Sequence, residues 1–205
     1  MIKGKYGLGA LFLFVIILAL PGCNEKASDI SARVVALSGV VEIKNAAADS
    51  FVAAKMNDNL GVGGILKTGE AAQASLEIID RGVVELKSES SFELEPGKDY
   101  IVQKAGVAIY KIEKNKEGFK VKSPQAVTCV LGTRFMVRIL DGMTVVGVEE
   151  GRVSVTTNKG ETRIIEAGKK LTVEESGFRG EAASFDLNTD SFNYLQIDGK
   201  WVPKE

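Results

Sequence analysis

The chain has 205 residues, 45% hydrophobic and 26% charged, and its 26 basic and 27 acidic side chains leave a formal net charge of −1. That balance provides no basic stripe for nucleic acid, and the length fits one domain with a real apolar core that needs no disulfide staples. There is no histidine, which excludes Ser-His-Asp and Cys-His catalysis and every histidine-bearing zinc site.

Lys3 and Lys5 precede an apolar run, Leu8 to Leu20, which closes on Pro21-Gly22-Cys23. The run is shorter than the roughly 20 residues a bilayer span needs, and the layout is that of a secretory signal. Its ending resembles the lipobox of bacterial lipoproteins, in which the cysteine is acylated and becomes the mature N-terminus. The resemblance implies that 1–22 is a signal peptide and that Cys23 is the lipidation site. It implies a place in the bacterial cell envelope, held by the two or more acyl chains that stable attachment requires. Plain secretion and an N-terminal anchor helix are the alternatives. Asn24 stands where an aspartate would retain the protein in the inner membrane, and so leans towards the outer membrane. Without Lys3 and Lys5, 24 basic residues face 27 acidic ones, a net charge of −3.

Residues 23–32 read as a polar tether, and 33–175 as strand, turn, strand. Ala74-Ser75-Leu76-Glu77-Ile78, Val153-Ser154-Val155 and Leu171-Thr172-Val173 alternate with the period of two. Turn signals punctuate them at Asp80-Arg81-Gly82, Glu95-Pro96-Gly97-Lys98, Asp141-Gly142, Asn158-Lys159-Gly160 and Ala167-Gly168. No helical period is sustained here, so the fold is expected to be all-β. A faint echo, a glycine before a short β-branched strand, recurs at Gly39, Gly82, Gly106 and Gly151. It tilts the expectation towards two facing sheets with a roll-like or solenoid-like winding. Residues 176–205 bring Phe185, Leu187, Phe192, Tyr194 and Trp201. They are expected to pack on the domain as a hairpin or short helix, because exposed aromatic clusters are costly.

Cys129, the only other cysteine, lies inside Val127-Thr128-Cys129-Val130-Leu131. It reads as a buried small hydrophobe, with an intermolecular disulfide or a reactive thiol as alternatives.

Residues 123–137 (Ser123-Pro124-Gln125-Ala126 through Gly132-Thr133-Arg134-Phe135-Met136-Val137) resemble the hallmark of the FecR domain family, Ser/Thr-Pro-x-Ala to Gly-Thr-x-Phe-x-Val. Val148 to Val155, Glu166 to Lys170, Leu66 to Gly69 and Ala74 to Gly82 fit the family's order, so the likeness covers about Arg33 to Glu174. In physical terms these residues are architecture. Pro124 biases Ser123 towards extended backbone, Gly132 marks a bulge or close backbone approach, and Phe135, Val137 and Ile139 share an inward face. The resemblance implies an extracytoplasmic β domain used for interaction. The family's best-known members are membrane-spanning regulators of iron uptake. Here only Met1 to Gly7 precede the apolar run, so direct signalling to transcription is not expected. The expected function is non-enzymatic binding of a cell-envelope protein or polymer. An accessory sensor of an envelope or iron-uptake route is the alternative, and a hydrolase on a β scaffold is a remote third. No catalytic residue, cofactor or metal is expected.

Three weaker signals remain. Leu60-Gly61-Val62-Gly63-Gly64 lacks the Gly-Lys-Ser/Thr ending of a phosphate loop and reads as a turn. Glu149-Glu150 and Glu174-Glu175 are neighbours on strands, so each pair points to opposite faces and cannot act as acid and base together. Lys111, Lys114, Lys116, Lys120 and Lys122 surround Gly118. They read as a solvated hairpin tip, or as a patch for anionic glycan or lipid headgroups.

Overall fold

The computed structural model describes residues 30–96, 100–114, 118–191, 194–197 and 200–203, the last two segments by backbone alone. The stretch expected to be a signal peptide, Cys23, most of the expected tether, Gly97, Lys98, Lys116 and Phe192 lie outside the described residues. The strands are β1 (Ala32–Ser38), β2 (Val41–Lys44), β3 (Val52–Ala53), β4 (Asn59–Leu60), β5 (Ile65–Thr68) and β6 (Gln73–Ile78). They continue with β7 (Gly82–Leu86), β8 (Ser91–Leu94), β9 (Tyr100–Ile112), β10 (Phe119–Lys122), β11 (Ala126–Val130), β12 (Arg134–Leu140) and β13 (Met143–Glu150). Next come β14 (Arg152–Thr157), β15 (Thr162–Glu166), β16 (Lys169–Glu174) and β17 (Gly177–Ser184). The one helix among the described residues, α1 (Leu187–Asp190), is followed by the hairpin of β18 (Tyr194–Ile197) and β19 (Lys200–Pro203). The chain is all-β in its core, and Gly177 to Ser184, small and charged in sequence, is a strand.

The strands β1 to β17 form one hydrogen-bonded network that resolves into two ladders sharing β9. The first runs β4-β1-β6-β7, the second half of β9, then β12-β13-β16-β17. The second runs β3-β2-β5-β8, the first half of β9, then β10-β11-β14-β15. Only β9 and β10 pair in parallel; every other pairing among the described residues is antiparallel. The sheet is mixed and is not closed into a barrel: among the described residues no pairing joins β15 to β3 or β17 to β4.

Consecutive hairpins alternate between the ladders, with β12–β13 in the first, β14–β15 in the second and β16–β17 in the first. The echoing glycines explain part of this. Gly39, Gly106 and Gly151, at φ +74°, +76° and +82°, sit where the chain passes from one ladder to the other. Gly82 belongs to the β6–β7 turn instead, so the echo mixes two geometries. Asp141-Gly142 is a two-residue hairpin loop with positive φ at both residues (+50° and +74°), the primed turn that matches strand twist.

The inward sides of both ladders meet in one apolar core. The first contributes Val34, Leu76, Tyr110, Phe135 and Val146, the second Ile43, Leu66, Phe92 and Phe119. Tyr110 stacks on Phe135, its cross-strand neighbour, with centroids 4.9 Å apart. Truncating such a ring to alanine costs about 3–5 kcal/mol. Ile139 packs against this core. On the other side of the first ladder, Phe185 and Leu187 cover Val107, Ile109 and Met136, which is why β12 is buried on both faces. The Phe185 ring lies over Gly147, where a Cβ would stand 2.3 Å from it.

Candidate interaction groove

The register of β10, β11, β14 and β15 sets Lys120, Cys129, Ser154 and Ile164 in one row across the second ladder. Side chains alternate on a strand, so with Phe119, Val130, Val153 and Ile165 buried in the core, this row faces outward. Cys129 is therefore half-buried on an outer face and is not the core hydrophobe its apolar surroundings in sequence suggested. The strand's inward member at that point is Thr128, which is buried.

This outer face forms one side of an open groove of about 890 Å³. Its far wall is a rim to which Lys114, Gly118, residues 131–133, Gly151 and Arg152 contribute. Leu131 is 65% exposed and Ile164 63%, which is unusual for branched aliphatic side chains so close together. Among the described residues that line the groove, Lys114, Lys120 and Arg152 are the ionisable side chains besides the Cys129 thiol, and none is a carboxylate. Thr133 is 6% exposed, and its hydroxyl has no hydrogen-bond partner among the described residues.

Close approach fixes the rim. A Cβ on Gly132, at φ +137°, would stand 2.6 Å from Lys114 Cα, so the two residues touch backbone to backbone. Ile112 N donates to Thr133 O (3.0 Å), Glu113 N to Arg81 O (2.9 Å), and Arg81 Nη1 to Gly118 O (3.0 Å). The lysine cluster is accordingly no hairpin tip, because the chain leaves the first ladder at Ile112 and enters the second at Phe119, parallel to the start of β9. Lys111 stays on the first ladder, Lys122 lies 5.5 Å over the Tyr100 ring, and of the described lysines of the cluster Lys114 and Lys120 reach the groove.

The other sequence signals resolve as structure. In the glycine-rich turn, Gly63 N donates to Leu94 O (2.5 Å) and Gly64 N to Gly61 O (2.9 Å), so these amides are engaged with carbonyls. Glu149 pairs with Arg134 (2.8 Å) and Glu174 with Arg179 (3.2 Å). Among the described residues no group of three or more cysteines and carboxylates could hold a metal ion. No helix among them is long and apolar enough to cross a membrane. Leu131, Arg152 and Ile164 were not distinguished as site residues by sequence. The doublet Ile164-Ile165 was the available signal, since one of two neighbours on a half-buried strand must face out.

Residues 65–154 match the family model described as FecR protein, and the chain carries a FecR domain over that stretch. The match runs from β5 through the first half of β14 and includes every described groove residue except Ile164. Two crystal structures of a proposed anti-sigma factor from Parabacteroides distasonis ATCC 8503 share the fold, with TM-scores of 0.55 and 0.54 at 19% identity. The alignments cover 66% and 65% of this chain and 70% and 69% of those chains. No curated protein matches the sequence.

Proposed function

We propose that this chain is a lipid-anchored, non-enzymatic FecR module of the bacterial cell envelope that binds an envelope component through the groove. The observation that carries this reading is the groove's lining, where exposed Leu131 and Ile164 lie beside Lys114, Lys120 and Arg152, with no carboxylate among the described lining residues. Such a surface suits a ligand that is anionic and partly apolar. The absence of histidine from the chain and the arginine pairing of Glu149 and Glu174 favour recognition over hydrolysis. Cys23 as acylation site and the cell envelope as location rest on the lipobox-like segment.

A second reading, an accessory part in a signalling route, draws on the anti-sigma-factor description of the solved structures that share the fold. In-cell crosslinking of the wild-type chain, with a Cys23→Ala control, tests both. Specific capture of an envelope protein or polymer supports the binding module, and capture of a membrane signalling protein supports the second reading. Identical background from wild type and control contradicts both.

A further inference from the structure

We propose that the ligand of this groove is the anionic phospholipid surface to which the chain is tethered, with the groove's rim set against the bilayer. The proposal deepens the reading above by naming the partner of the same site, and it rests on membrane attachment of residues 1–23.

Three observations converge. The first is where the chain leaves the fold. Ser31 O accepts from Ile79 N (3.0 Å), and the turn at Ile79–Arg81 is bonded to Glu113 and Gly118. The N-terminal exit therefore lies on the rim that walls the groove. The second is reach. Seven residues, Asn24 to Ile30, separate Cys23 from β1 and its neighbour Ser31. Fully extended they span at most roughly 25 Å, which keeps this rim close to the leaflet and gives even a weak contact a high effective concentration. The third is composition. Ile79 (41% exposed) and Leu131 lie along the rim with Lys114 and Arg152 beside them. Apolar tips flanked by cations suit an interface of headgroups and acyl chains, and each cation near an anionic leaflet strengthens binding about fivefold. Asp80, Glu113 and Glu150 are also exposed on the rim but are not among the described residues that line the groove. An acidic protein segment would match the charge equally well, but it would not use the shared exit of the tether.

The test is hydrogen exchange on the full chain in phosphatidylcholine vesicles, with and without phosphatidylglycerol. Amides at 131–133 and 151–153 should exchange several-fold more slowly when phosphatidylglycerol is present, while those around Gly39, on the opposite rim, stay unchanged. The combined variant Lys114→Ser, Lys120→Ser, Arg152→Ser should lose the slowing and keep the rest of its exchange pattern, which shows that it is folded. Equal exchange in both vesicles overturns the proposal. So does protection by soluble polyglutamate without protection by phosphatidylglycerol, which assigns the groove to acidic protein. Intact mass of the same sample reports acylation of Cys23. An unacylated chain removes the lipid-anchor reading, whereas an acylated chain with equal exchange in both vesicles removes the groove proposal alone.

Discussion

Tyr110 Oη donates to Gln103 Oε1 at 2.9 Å, and both side chains are fully buried. The pair spans the bend of β9, with Gln103 in the second ladder and Tyr110 in the first. Gln103 Nε2 donates onward to Gly106 O (3.1 Å) and Val137 O (3.0 Å). A single glutamine thus ties the crossing glycine to β12 while its other end holds the phenol. Tyr110→Phe keeps the stacking on Phe135 and removes the hydroxyl from Gln103 Oε1. The expected cost is about 1–3 kcal/mol, measured by urea unfolding against wild type.

The same burial pushes the Tyr110 phenol above its ordinary value of 10.0. Below that pH the phenol is protonated in both folded and unfolded chains, and its contribution to stability is constant. Above it the unfolded chain releases the proton while the folded chain keeps it. Stability should then fall by about 1.4 kcal/mol per pH unit from this group. Unfolding midpoints of wild type and Tyr110→Phe should run parallel at neutral pH and converge above pH 10.0.

Gly132 has no room for a side chain and holds a backbone angle that L residues avoid. Gly132→Ala should destabilise by about 1–3 kcal/mol and disturb the rim. Its signature is a rise in amide exchange at Lys114 and Gly118, which a substitution acting only on the unfolded chain would not produce.

Thr133, in the Gly-Thr-x-Phe signature, carries a buried hydroxyl with no hydrogen-bond partner among the described residues. Thr133→Val replaces it with a methyl of the same shape, and the chain should gain about 1 kcal/mol. A loss of stability on thermal unfolding would instead show that the hydroxyl has a partner.

Much of this fold was legible in sequence because its causes are local. Asp141-Gly142 dictates its own turn, the alternation from Ala74 to Ile78 sets which face is inward, and Phe135 and Val137 reach the core as their spacing requires. The groove was less legible because its causes are not local. Gly106 reads in sequence as the start of a short strand, yet Tyr100 to Ile112 is one strand whose halves join different ladders through partners distant in the chain. The lysines from 111 to 122 look like one patch, yet the crossing between ladders sends Lys111 to one sheet and Lys120 to the other. Cys129 has apolar neighbours on both sides, and which of Thr128 and Cys129 turns inward is settled by the register of β11 on β14.

The central claim is that recognition belongs to this groove. The most direct measurement is photocrosslinking in cells from a benzoylphenylalanine placed at Leu131 or Ile164, with Val52, exposed on β3 at the far edge of the same ladder, as the control. The account predicts that both groove positions capture the same envelope species, lipid adducts foremost, and that Val52 does not. Equal capture from all three positions, or capture from Val52 alone, would contradict it.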